Sequence, residues 1–267
     1  MNGYKDPFLE HKSPEVFKAG AEFSEIYSLF VMDRHLRSIL FRYTTLAEAA
    51  LKTACTYEFC KAHRGDNEAY LDPNAYRSDG EYASRAKNLI ESINRVVLGR
   101  APKSPRKIKP YVQHYIDKHD NVPLWVVMNH LGLTDAFKFF DYQPESIRFA
   151  IARSFQEAYE ETHRDRRRIT HVDLRKAYDH IKDFRNICAH DERLYCARVD
   201  KSKSTWFRDV IGDLEIALAS YQHDELVRSV AKQVMIASQR ISTIDQKDML
   251  SAMGYRSLDE LSSRNGW

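Results

Sequence analysis

Apolar residues recur along most of this chain at intervals of three and four, the spacing that keeps one face of a helix buried. The longest such run starts near Glu22 and passes through Ile26, Phe30, Leu36, Leu40, Tyr43, Ala47, Leu51 and Cys55 to about Ala62. It predicts a single long helix. Its polar positions, Asp33, Arg34, Arg37, Glu48 and Lys52, read for the most part as a solvated outer face. Glu48 stands apart, because the small residues Ala47, Ala49 and Ala50 around it would let a second helix approach. Ahead of this run, residues 1–12 look irregular, and Ser13-Pro14-Glu15 reads as the cap and first turn of a short helix that breaks near Gly20.

The same spacing predicts helices over 81–97 (Tyr82, Ala86, Ile90, Ile93), 111–118, 122–131, 134–140 and 144–162 (Ile147, Ile151, Phe155, Tyr159). Two more follow over 206–221 and 224–241, then a small helical tail over 244–264 that breaks at Met253-Gly254-Tyr255. No strand-like alternation of useful length occurs. The chain therefore reads as all-α, with a lead-in over 1–21, a helical domain over 22–243 and a tail over 244–267.

The stretch of most chemical interest closes a helix that opens at Thr170. Thr170 and Asp173 have the spacing of a capping box, and Leu174, Tyr178, Ile181 and Cys188 keep one face apolar. Arg185 falls on that stripe, where a guanidinium is costly without a carboxylate, a phosphate or a wet cleft beside it. Glu48 is a candidate carboxylate. Asn186 follows, and His190 stands five residues after the arginine. A fixed cation and a proton carrier in one short segment suit chemistry on a phosphodiester. Residues five apart on a continuous helix point about 140° away from each other. Either the helix ends or bends between Arg185 and His190, or the two act across a groove whose far wall is a second copy of the chain.

Composition narrows the surroundings. The 267 residues carry 41 basic and 38 acidic side chains, a net charge of only +3, so any nucleic-acid contact must come from local patches. Two such patches are present. The loop 99–110, broken by Pro102 and Pro105, holds Arg100, Lys103, Arg106, Lys107 and Lys109. The second patch, His163 to Arg168, holds Arg164, Arg166, Arg167 and Arg168 and leads into the helix of Arg185. His130 reads as a packed histidine rather than a catalyst. The four cysteines lie singly, without zinc-ligand spacing, and read as reduced thiols. No apolar run is long enough to span a membrane and the first residues lack the form of a secretory signal, so a cytoplasmic protein is expected.

Phe-Arg-Asn-Ile-Cys-Ala-His, residues 184–190, resembles the R-x4-6-H signature of HEPN ribonuclease domains. With Phe30-Val-Met-Asp-Arg-His-Leu-Arg37, Leu46-Ala-Glu-Ala-Ala-Leu-Lys52 and Val122-Pro-Leu-Trp-Val-Val127, in that order, the chain resembles the Abi-like family of abortive-infection proteins, of the AbiD and AbiF type, over roughly residues 22–260. The resemblance implies an all-helical HEPN bundle with inserted helices, often a homodimer, that cleaves RNA without a metal or other cofactor in defence against phage, or as a toxin restrained by an RNA or protein partner. Arg185 and His190 match its catalytic pair and Asn186 the polar position beside them. Glu48 and Lys52 match a supporting acid and base on the early helix. Glu192 stands where some HEPN toxins carry a tyrosine modified by a nucleotidyltransferase, which speaks against that form of control. Family members also ordinarily carry a leading segment before the position of Tyr4, close to which this chain begins.

The expected reaction is attack of a ribose 2′-hydroxyl on the adjacent phosphate, with His190 moving the proton and Arg185 holding the phosphate. One rival is an RNA-binding protein without catalysis that holds a small non-coding RNA through the two basic patches. The other is a purely structural role, in which Arg185 pairs with Glu48 and His190 caps a helix.

Overall fold

The computed structural model describes residues 2–100, 108–119, 121–200, 202 and 204–262. It is all-α, with two small hairpins. The predicted long helix forms as α1, Phe23–Ala62. Then come α2 (Tyr82–Ser92, continued by a π-helical turn over Ile93–Val97), α3 (Pro110–His119), α4 (Leu124–His130), α5 (Leu133–Asp141), α6 (Glu145–Thr162) and α7 (His171–Ala189). The chain closes with α8 (Phe207–Leu214), α9 (Ser220–Ser238), α10 (Gln246–Met253) and α11 (Leu258–Ser262). Among the described residues, no helix is long and apolar enough to cross a membrane.

The described chain divides into two compact units. One gathers the chain as far as Leu46 with the chain from Ala177 on, and the other holds Ala47–Lys176. In the first, Leu29, Leu36, Leu40 and Tyr43 of α1, Ile181 and Phe184 of α7, Val210 and Leu214 of α8 and Val230 and Val234 of α9 are buried. In the second, the buried set includes Leu51, Cys55 and Phe59 of α1, Ile90, Val127, Phe139 and Ile151. Phe139 meets the rings of Phe59 and Tyr76 edge-on at 5.2 and 5.8 Å, an arrangement that adds aromatic attraction to area burial.

Three local expectations need correction. Ser13-Pro14 does not open a helix. It turns a hairpin in which β1 (Leu9–Lys12) pairs antiparallel with β2 (Glu15–Phe17), and the chain beside it is tied down by Lys18 N donating to the carbonyl of the fully buried Phe8 at 2.8 Å. The helix expected over 206–221 stops at Leu214, and Ala219 then starts α9, its N–H donating to Gln222 Oε1 at 3.0 Å. A second short hairpin, β3 (Arg198–Val199) with β4 (Thr205–Trp206), precedes α8.

The third correction concerns Asp33 and Arg37, which are not on a solvated face. Asp33 sits four residues after Leu29 and three before Leu36, on the buried stripe itself, and is fully buried, while Arg37 is 4% exposed.

Candidate active site at the end of α7

The start of α7 follows its sequence. Thr170 Oγ1 accepts from Asp173 N at 3.1 Å and Asp173 Oδ2 accepts from Thr170 N at 3.0 Å, a reciprocal cap. The Thr170 hydroxyl holds the Asp173 carboxyl below its ordinary pKa.

The end of α7 is built differently. α7 ends at Ala189, between Arg185 and His190, yet His190 N still donates to Asn186 O at 3.0 Å, so the last turn keeps its pitch up to the histidine. Asp191 then turns left-handed, at φ 57°, and Glu192 N reaches back to Ile187 O at 3.1 Å. This is the Schellman pattern, in which glycine usually occupies the left-handed place. Gly254 fills that place at the end of α10, with φ 95° and Tyr255 N donating to Leu250 O at 2.9 Å. An aspartate there carries a steric cost of about 1–2 kcal/mol, and Arg37 offsets it. Arg37 Nη2 lies 2.7 Å from Asp191 Oδ1, and Arg37 Nη1 donates to Glu192 O at 3.2 Å.

Arg37 is held in turn by Asp33 at 2.5 Å. The same Asp33 carboxylate accepts from Leu194 N at 3.1 Å, Tyr195 N at 2.6 Å and Tyr4 Oη at 2.6 Å. Burial first, and then the neighbouring carboxylate, push the Tyr4 hydroxyl far above its usual pKa, so it stays a donor. Four donors thus converge on one buried carboxylate, and the chain from 191 to 195 has its path fixed directly after His190. This clamp was missed in the sequence. Its signal was an acid on the apolar stripe of α1.

Within this frame, Arg185 is half-buried. Its guanidinium lies 5.7 Å from the centroid of the Phe41 ring, and its Nη1 donates to Asn186 Oδ1 at 3.4 Å. Among the described residues of its unit, no carboxylate pairs with it. His190 is exposed at the helix end. Because α7 does not bend, Asn186 and His190, four apart, share a face to within about 40°, while Arg185 points about 140° from His190. The Asn186 face borders a groove of about 990 Å³ between α7 and the β3–β4 hairpin. Among the described residues, Asp179, Asp183, Glu192 and Asp200 line it with Lys182 and Arg198.

Below that hairpin, His180 Nδ1 lies 2.6 Å from Asp213 Oδ2, and its Nε2 lies 3.4 Å from Thr205 Oγ1. The outline is that of a nucleophile, base and acid. Thr205 is buried, however, and gives its hydroxyl proton to Asp200 at 2.7 Å, so the chain of bonds anchors the hairpin. Burial pushes the Cys188 thiol up to about 12, which keeps it an unreactive neighbour of the motif.

The other expected residues belong to the second unit. Glu48 pairs with Lys52 one turn along α1 at 2.6 Å. Lys52 and Lys109 both act on His130, whose pKa is lowered first by burial and then by these two charges. Arg100 is paired with Glu68 at 2.8 Å. Lys103, Arg106 and Lys107 lie outside the described residues. Arg164, Arg166, Arg167 and Arg168 are all exposed on the connection between α6 and α7. His163 does not join them, because it is buried and stacked on Tyr159 at 3.7 Å. Among the described residues, no group of three or more His, Cys, Asp or Glu side chains could hold a metal ion.

Residues 1–196 match the family model described as Abi-like protein. The chain belongs to the Abi-like protein family. The match takes in Tyr4, Asp33, Arg37 and the whole 184–190 stretch, including the first 21 residues that the sequence resemblance left out, and ends before the β3–β4 hairpin. No curated protein and no solved structure matches the chain.

Proposed function

We propose that this Abi-like protein is a metal-independent endoribonuclease of the HEPN type, acting in abortive infection or as a toxin restrained by an RNA or protein partner. The supporting observation is the end of α7: an exposed histidine on a backbone fixed by a buried clamp, one turn beyond Asn186, with an arginine whose fork meets no carboxylate among the described residues of its unit. A ribose 2′-oxygen attacks the adjacent phosphorus, the P–O5′ bond breaks, and the products are a 2′,3′-cyclic phosphate and a 5′-hydroxyl. His190 takes the proton from the 2′-hydroxyl, and a second acid must deliver one to the departing O5′. The two donors of the Arg185 fork neutralise charge growing on the phosphate oxygens.

The angle between Arg185 and His190 argues for a homodimer, in which the second copy's histidine supplies the acid.

A second reading, RNA retention without cleavage, draws on the exposed arginines 164 and 166–168. Cleavage of single-stranded RNA in the presence of a chelator separates the two. The nuclease reading expects cyclic-phosphate ends from the wild type and a rate lower by about 10²–10⁴-fold in His190→Ala, with melting temperature and dimer size unchanged. Cleavage by His190→Ala and Arg185→Ala at the wild-type rate contradicts it.

A further inference from the structure

The second unit holds a polar centre that the motif does not use. Arg148, on α6, has its Nε buried without a hydrogen-bond partner among the described residues, and no carboxylate lies within ion-pair distance of its guanidinium. His171, the first residue of α7, has its Nδ1 buried and likewise unpartnered, while its Nε2 stands 4.0 Å from Glu145 Oε1. Phe149, beside Arg148 in sequence, meets the His171 ring at 4.5 Å and is 52% exposed. Arg77, stacked on Tyr82 at 3.6 Å and paired with Asp79 through its Nε at 2.7 Å and its Nη2, lies beside the group.

Burial and then the facing Arg77 push the Arg148 pKa down. Burial, then Arg148 and Arg77, do the same to His171. The nearby carboxylates are committed elsewhere: Asp79 to Arg77, Asp141 to Arg175 at 2.7 Å, and Asp173 to Thr170. Glu145 is exposed and lies 4.0 Å from His171, and the charges of Asp141 and Glu145 oppose, without outweighing, the lowering of the Arg148 pKa.

Leaving a buried polar atom unbonded costs about 1–3 kcal/mol, and here the Arg148 Nε–H donor and a His171 ring nitrogen both lack a partner among the described residues. A fold gains nothing from that arrangement unless an anion completes it. The guanidinium edge of Arg148 offers Nε–H and Nη–H in the fork that fits two oxygens of one phosphate. His171 adds a third donor when its Nδ1 carries the proton, and an exposed aromatic ring beside a phosphate is the usual platform for a base.

We propose that Arg148 and His171 form a binding site for a phosphoryl group, with Arg77 beside them and Phe149 as the surface that receives the attached base. The group arrives on an RNA strand or as a free nucleotide, and the RNA source rests on the ribonuclease reading above.

The test is calorimetric titration of the full-length protein with two probes. One is a short single-stranded 2′-O-methyl oligonucleotide, which has no 2′-hydroxyl to attack, and the other is adenosine 5′-monophosphate. Arg148→Met should weaken oligonucleotide binding about tenfold, or about 1.4 kcal/mol, and lower the salt slope by about one. Parallel loss of the mononucleotide assigns a free nucleotide as sufficient, and loss of the oligonucleotide alone assigns the strand. Arg148→Lys, which keeps the charge without the fork, should fold and fall between. The proposal is overturned if the wild type binds neither probe, or if Arg148→Lys and His171→Ala bind both as the wild type does. Because neither probe is cleaved, that failure is separate from any failure of His190 to matter in catalysis.

Discussion

Two charged centres in this protein invite comparison. Behind His190, Asp33 and Arg37 are buried and every strong donor and acceptor between them is matched, down to the backbone N–H groups of Leu194 and Tyr195. Around Arg148 and His171, a buried guanidinium nitrogen and a buried ring nitrogen have no partner among the described residues. The first arrangement spends its charges holding a piece of backbone, whereas the second leaves them open. Full satisfaction suits a structural device that serves a site, and unpartnered polar atoms beside a cation suit the anion site proposed above.

The comparison breaks most visibly at Asp33. Asp33→Ala leaves Arg37 buried against a backbone it was meant to hold, and should destabilise the protein by about 3–5 kcal/mol, as urea unfolding would read. A loss below 1 kcal/mol would mean that the clamp is incidental.

Glu25 offers a gentler check in the same unit. Burial opposes its ionisation, yet hydrogen bonds from Thr243 and Ser242 outweigh this and hold its pKa at about 2. Its folded pKa is depressed, so its contribution is present above its ordinary value and is lost as pH falls towards about 2. Glu25→Gln should cost about 1–3 kcal/mol at neutral pH and flatten that acid dependence, which melting between pH 5 and pH 2 would follow.

The smallest effect is expected at Arg148, and its sign matters more than its size. Arg148→Met removes an unmatched buried donor, so the protein without added ligand should melt at or slightly above the wild-type temperature. A clear fall in melting temperature would mean that Arg148 supports the fold in the way Arg37 does.

Much of this was legible beforehand. The apolar spacing of α1, the Thr170–Asp173 cap and the break at Gly254 each rest on local rules that the structure obeys. Asp33 carried the same signal as Arg185, a charge on an apolar stripe, yet its partners Tyr4, Leu194 and Tyr195 lie too far along the chain for spacing to reveal. The β1–β2 hairpin was hidden because Ser-Pro serves turns as readily as helix starts. His163 looked cationic among its arginines and is instead a stacked, buried ring. Arg148, Arg77 and His171 come from three separate segments, and nothing in the order of residues announces their meeting.

The central claim is that the histidine fixed at the end of α7 moves a proton during RNA cleavage. The rate of single-turnover cleavage of one defined RNA by His190→Ala, set beside its melting temperature, tests this most directly. The account predicts a rate lower by about two orders of magnitude or more at an unchanged melting temperature. A wild-type rate in that variant would contradict it.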